Sequence, residues 1–396
     1  MIQQTILYLA IILIMAKALG ELAERIGQPA VLGELVAGVL LSGSIIGVFK
    51  IAPNQTLLFL AELGALLLLF EIGLESNIGE FIRVGFSSLL VSLIGMICAI
   101  GGGFLVSRLF GLDARIAIFI GVALSSTSVG ITARTFFDLG RLRSREAQVI
   151  IGAAVIDDIL GLIVLSVVTG VLVTGNIIPF QIIKVAFLAM LFLAGAFLIG
   201  IPAAPLLLRI IKRLRTRGML TACALLFCLT LAYAAGKLQL APIIGAFAAG
   251  LLLTRTEDAS RIRLCMKPLA DIFIPIFFVV IGMQVQLSAL NPFQAQARST
   301  LIFALALIVV AILTKALAGG GVLRRDINRL VVGAGMIPRG EVGFICASLG
   351  LARNIITLPQ YTAIIAVIAA TTFITPILLK ALHVKKIEIV PTGEKS

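Results

Sequence analysis

Apolar residues in this chain are not spaced one face at a time. They run on almost unbroken for about 20 residues, then give way to a few polar ones. Thirteen such stretches stand near residues 3–20, 30–49, 56–74, 85–110, 115–137, 147–173, 178–208, 218–236, 241–255, 268–288, 299–322, 329–351 and 360–382. A membrane-crossing helix needs about 20 consecutive apolar residues. The pattern therefore predicts an all-α polytopic membrane protein with thirteen transmembrane helices. The connections are short, and none is long or polar enough for a soluble regulatory domain. The first stretch has no basic segment before it and no small-residue cleavage site after it, so it reads as a retained helix.

Composition agrees with that reading. Of 396 residues, 60% are hydrophobic and 13% charged, against about 25% charged in a soluble domain. A mean hydropathy of +1.16 excludes an ordinary soluble globule and a disordered chain. The net charge of +13 would fit a nucleic-acid partner, but its distribution points elsewhere. Loops after odd-numbered helices and the tail hold 22 Lys and Arg residues; loops after even-numbered helices hold 7. Basic residues accumulate on the cytoplasmic side. The expectation is an N-terminus outside, a cytoplasmic C-terminus, a lipid bilayer as partner and no nucleic acid. The five cysteines form no CxxC pair, and His383 is the only histidine. That excludes a histidine metal site or a histidine proton relay. No phosphate-binding GxxxxGK[ST] loop occurs, and no cofactor is expected.

The halves of the chain resemble each other. Gly33-Glu-Leu-Val-Ala-Gly38 matches Gly245-Ala-Phe-Ala-Ala-Gly250, Ile72-Gly73-Leu74 matches Ile281-Gly282-Met283, and Thr127-Ser128-Val129-Gly130 matches Gly340-Glu341-Val342-Gly343. The offsets are 212, 209 and 213. Each match shifts by seven helices, and an odd shift turns the second copy over in the membrane. The chain reads as two inverted six-helix repeats joined by a linker helix. Secondary transporters are built this way, with the site at the repeat interface near the midplane.

Polar groups mark that site. Asp157 and Asp158 stand in the middle of the sixth stretch, where a charge costs about 2.5 kcal/mol or more. Adjacent helical residues point about 100° apart, so one acid can face water and a cation while the other faces a protein partner. Lys315, deep in the eleventh stretch, is the evident partner. Two stretches look broken: the fifth by Ser125-Ser126-Thr127-Ser128 and Gly130, the twelfth by Pro338 and its glycines. Broken helices are tolerated at membrane depth where they line a cavity or are buried in protein. Freed carbonyls and hydroxyls can coordinate a small cation, and half-helix ends need opposite charges beside them. Arg339 and Glu341 fit that compensating role, or a purely structural ion pair. Glu34, Glu62 and Glu71 read as interface anchors or local pairs. A carboxylate that holds Na+ or Li+ when ionised loses it on protonation, which is antiport given two-sided access.

Taken together, Gly27-Gln28-Pro29-Ala-Val-Leu-Gly33-Glu34, Phe70-Glu-Ile-Gly-Leu-Glu75, Ser125-Ser126-Thr127, Asp157-Asp158, Ile274-Pro-Ile-Phe-Phe-Val-Val-Ile-Gly282-Met283 and Pro338-Arg339-Gly340-Glu341-Val-Gly resemble the monovalent cation:proton antiporter-2 family over essentially the whole chain. The resemblance is to its NapA-type bacterial sodium/proton antiporters. It implies an NhaA-like fold, a bacterial inner-membrane location and a homodimer. Dimerisation segments would be 1–80 and 217–292, and transport-core segments 81–175 and 293–384. Residues 176–216 would hold the linker helix, and 385–396 a cytoplasmic tail. By the family pattern Asp158 is the main cation and proton site, binding Na+ or Li+. Asp157 pairs with Lys315, and Thr127 and Ser128 lie beside the site. The double Asp implies electrogenic exchange by an elevator-like motion. The Gln-Asp pair and long nucleotide-binding tail of the potassium efflux branch are missing. A K+/H+ antiporter with the same machinery, and a sodium-coupled organic-anion symporter, are the competing readings.

Overall fold

The computed structural model describes residues 2–42, 54–76, 78–174, 218–238, 240–254, 256, 258–284 and 295–387, with short pieces between 187 and 200. Here the apolar runs fold as helices, and among the described residues there is no strand. In chain order they are α1 (Ile2–Arg25), α2 (Ala30–Leu41), α3 (Gln55–Glu75), α4 (Ile78–Leu109), α5 (Ala114–Ala123), α6 (Val129–Asp138) and α7 (Arg145–Thr174). Then come α8 (Met219–Lys237), α9 (Pro242–Leu253), α10 (Ala259–Met283), α11 (Ala295–Ala316), α12 (Arg329–Gly335), α13 (Glu341–Ala352) and α14 (Leu358–Ile387). Eight of these, α1, α3, α4, α7, α8, α10, α11 and α14, are long and apolar enough to cross a membrane. The expected seventh crossing at 178–208 lies largely outside the described residues, as do 43–49 of the second.

Among the boundaries that differ from the sequence expectation, two have evident physical reasons. α10 starts at Ala259, nine residues before its apolar run, so Arg261, Arg263 and Lys267 lie on the helix and not in a loop. The two arginines find partners there: Arg263 donates to the Leu74 carbonyl at 3.2 Å and lies 3.7 Å from Glu75, and Arg261 lies 3.7 Å from Asp258. α11 stops at Ala316 and tightens into a 3₁₀ turn over Leu317–Gly321, where three glycines in a row lower helix propensity.

The helices pack in two groups. α1, α2, α3, α8, α9 and α10 pack on one another; α4 to α7 and α11 to α14 form the other group. The groups meet chiefly through α6 against α2 and α3, and through α14 against α2. A cavity of about 610 Å³ separates them elsewhere, between Glu62, Pro242 and Gln284 on one side and Val342, Phe344 and Ile345 on the other. Lipid-facing surfaces are apolar. On α11, Ile302, Leu305, Val309 and Leu313 form one exposed stripe at helical spacing, while Lys315 on the opposite face is fully buried.

Candidate ion-exchange site

Two helices break at the middle of the second group. α5 ends at Ala123 and α6 begins at Val129; α12 ends at Gly335 and α13 begins at Glu341. The sequence explains both gaps. The Ser125 hydroxyl donates to the Val122 carbonyl at 2.8 Å, a local bond that competes with the helix. Pro338 has no N–H to continue the second one. The freed backbones then serve each other. The Ser128 N–H donates to the Pro338 carbonyl at 2.9 Å, and the Thr132 hydroxyl to the Gly335 carbonyl at 2.7 Å. A Cβ on Gly340 would come within 2.6 Å of Ser128 Oγ, so the close approach requires glycine.

α7 passes beside this crossing and places Asp157 there, completely buried. Its carboxylate has three donors. Ser92 of α4 donates to Oδ1 at 3.0 Å; Thr127 and Lys315 donate to Oδ2 at 2.7 and 2.6 Å. The Thr127 hydroxyl also lies 3.3 Å from the Met336 carbonyl, a second acceptor for its one proton. Lys315 is completely buried. Asp158 is 2% exposed, and its charge reaches Lys315 as well. Ser128 Oγ is buried with no hydrogen-bond partner among the described residues, leaving its lone pairs available.

Arg339 is the largest fully buried side chain among the described residues. Its guanidinium donates to the Ala311 carbonyl at 3.3 Å and to the Met336 carbonyl, at the end of α12, at 3.5 Å. Its backbone is held by Thr371 and Thr372 of α14. A cation at the carbonyl end of a half-helix opposes that end's partial negative charge. The Glu341 side chain lies outside the described residues. Around this crossing the described buried charges are Asp157, Asp158, Lys315 and Arg339, formally balanced when all four are ionised. Among the described residues no cluster of three acidic, cysteine or histidine side chains is placed to hold a resident metal. The oxygen donors present, a carboxylate with hydroxyls and carbonyls, suit a hard cation.

Sequence reasoning did not single out Ser92. Its signal was nonetheless there: Ser88, Ser92, Gly95, Ala99 and Gly102 form a small-residue stripe at helical spacing on an otherwise bulky α4. It also did not assemble a second polar cluster, between the two helix groups. Arg134 of α6 lies 2.8 Å from Asp138 and 3.9 Å from Glu34 of α2, with Glu71 of α3 the next acid in its field.

Residues 9–385 match the family model described as sodium/hydrogen exchanger, transmembrane. The chain belongs to the sodium/hydrogen exchanger family. Within it, the chain is 39% identical to the high-affinity Na(+)/H(+) antiporter NhaS3 of Synechocystis sp., over 95% of this chain and 89% of that protein. It is 35% identical to the Na(+)/H(+)-K(+) antiporter GerN of Bacillus cereus, over 94% of each. The structure of the sodium proton antiporter MjNhaP1 of Methanocaldococcus jannaschii superposes with a TM-score of 0.70 at 18% identity, covering 99% of this chain and all of that one. That likeness extends the shared fold of this exchanger across distant sequences.

Proposed function

We propose that this exchanger is a secondary active Na+(Li+)/H+ antiporter of a bacterial inner membrane. The observation that carries the reading is the buried Asp157–Lys315 pair, with Asp158 beside it, at the crossing of two broken helices. A monovalent cation that replaces a proton on Asp158 leaves the charge of the pocket unchanged, whereas one that enters without loss of a proton adds an uncompensated charge in a low-dielectric site. Proton release on cation binding removes that penalty, and the reverse restores it on the other side. Asp158 is the residue at which cation and proton compete. Thr127 and Ser128 supply hydroxyl oxygens, and Lys315, when it leaves Asp157, carries the second proton. Arg339 and Glu341 compensate the half-helix ends.

The same reading supplies the finer architecture. Thirteen crossings form two inverted repeats in an NhaA-like fold, with the N-terminus outside. The group of α1–α3 and α8–α10 is the dimerisation domain of a homodimer. The group of α4–α7 and α11–α14 is the transport core, which moves against it. The sparse contact between the groups supports this division.

The test uses proteoliposomes with an imposed pH gradient and a pH-sensitive dye. Na+ and Li+ dissipate the gradient, and Asp158→Asn abolishes the response while the protein remains monodisperse. A response to K+ alone assigns the potassium reading; K+ stands beside Na+ in the name of the Bacillus cereus relative GerN. No response to any of the three cations overturns antiport.

A further inference from the structure

We infer that Ser92 is a positioning residue of the exchange site, holding the Asp157 carboxylate in place while Lys315 is away from it. The inference rests on the antiport reading above. In that cycle the Asp157–Lys315 bond opens and closes, so something else must keep the carboxylate aimed. Its three donors differ in what they can offer at that moment. Lys315 is the departing one. Thr127 shares Oδ2 with Lys315, and its single proton stands between Asp157 at 2.7 Å and the Met336 carbonyl at 3.3 Å. The hydroxyl of Ser92 is the only described donor to Oδ1, and its bond to Asp157 is the only one described for it.

The element behind Ser92 is the stable part of the arrangement. One turn earlier on the same face of α4, the Ser88 hydroxyl donates to the Val149 carbonyl of α7 at 3.0 Å. Asp157 lies two turns after Val149 on α7. The α4–α7 pair is therefore pinned at two levels, and Ser92 moves with Asp157. One turn further on, Gly95 leaves room for the lysine: a Cβ there would stand 3.2 Å from Lys315 Cδ and 3.4 Å from Nζ. Three successive positions of one face thus fix the helix, hold the acid and accommodate the base. Without Ser92, Oδ1 is a buried acceptor with no donor, and the carboxylate is free to turn towards whatever charge is near. A hydroxyl also serves both protonation states, donating to the carboxylate and accepting from the acid.

The experiment measures Na+/H+ exchange in proteoliposomes for the wild type, Ser92→Ala and Ser92→Thr, each also in a Lys315→Gln background, with thermal unfolding of every purified variant. Ser92→Ala is expected to raise the half-saturating Na+ concentration about fivefold with less than a twofold change in maximal rate. Ser92→Thr, which keeps the hydroxyl, is expected to restore the wild-type value. In the Lys315→Gln background the Ser92→Ala effect is expected to grow, because the remaining donors then carry the carboxylate alone. Unchanged half-saturation in Ser92→Ala overturns the inference. So does a loss confined to thermal stability, or an effect of the same size in both backgrounds. If Ser92→Ala fails to fold, a Ser92→Thr protein with altered half-saturation overturns it, and one with the wild-type value that loses it in Ser92→Cys supports it. Wild-type protein that exchanges no cation for protons is a separate result, and it overturns the antiport reading itself.

Discussion

Gly38 and Gly282 stand backbone to backbone where α2 crosses α10: a Cβ on Gly38 would overlap the Val279 carbonyl, and a Cβ on Gly282 the Leu35 carbonyl. The same contact recurs between Gly250 of α9 and Gly73 of α3, with Phe70 and Phe247 supplying the carbonyls. Adding 212 to 35 and 38 gives 247 and 250; adding 209 to 70 and 73 gives 279 and 282. Exchanging the two halves of the chain turns one contact into the other. Small residues let helix backbones approach closely in lipid, where packing replaces the hydrophobic effect as the driving force.

Gly38→Ala, Gly73→Ala, Gly250→Ala and Gly282→Ala are each expected to destabilise the protein by about 3 kcal/mol, the upper part of the usual overpacking range, because the obstacle is backbone and cannot rotate away. Gly101→Ala on α4 is the control. Nothing lies near its Cβ position, so alanine there is neutral or slightly stabilising. Thermal unfolding of purified protein in detergent compares the five. Equal midpoints for Gly282→Ala and Gly101→Ala would show that α2 and α10 are not in this contact.

The Asp157–Lys315 pair is expected to behave as a unit. Removing one member leaves a buried charge unanswered, at a cost of about 3–5 kcal/mol. Asp157→Asn and Lys315→Met are therefore each strongly destabilising, and the double variant is more stable than the sum of the two losses. A double-mutant cycle in unfolding free energy checks this. Strict additivity would mean that the 2.6 Å contact contributes no coupling.

How much of this was open to reading in the sequence depended on what the residues had to oppose. Charges in a membrane are expensive, so Asp157, Asp158 and Lys315 stood out; the angle between adjacent helical residues let one acid face the lysine, and only the family resemblance named it as Asp157. Pro338 and the serine run announced the two helix breaks because both interrupt backbone hydrogen bonding. Ser92 was hidden because a hydroxyl is cheap in an apolar helix and common there. Arg134 was hidden for a different reason: near the end of the fifth stretch it counts as one of the cytoplasmic-side charges, and only the packing of α6 on α2 and α3 turns it inward. The start of α10 was misplaced because hydropathy reports the lipid boundary, while the helix itself runs on through its polar turns.

Arg134 gives a third prediction. Its side chain is 15% exposed, and it is the cation with the largest effect on both Glu34 and Glu71, beside Asp138, where the two helix groups meet. Glu34 Oε2 and Asp138 Oδ2 already lack hydrogen-bond partners among the described residues. Arg134→Gln leaves these acids facing one another, with an expected loss of about 3 kcal/mol. Glu34→Gln in the Arg134→Gln background is expected to recover part of it, since one of the repelling charges is then gone. Unfolding midpoints of the two variants decide this, and a further loss in the double variant would sink it.

The last prediction concerns charge movement. If Lys315 releases a proton each time it leaves Asp157, two protons cross for each sodium ion returned, and one net charge moves per cycle. A potential of 100 mV then contributes about 2.3 kcal/mol, which corresponds to about a fiftyfold larger sodium gradient at equilibrium, since 1.4 kcal/mol is a factor of ten. In Lys315→Gln the second proton has no carrier. That variant is expected to exchange one for one, so a potassium–valinomycin clamp that alters the wild-type sodium gradient leaves the variant's unchanged. The measurement is the sodium gradient reached at zero, −60 and −120 mV in proteoliposomes of both proteins. Equal voltage dependence in the two would mean that the second charge travels on another group, and Arg339, fully buried beside the same acid, would be the next residue to replace.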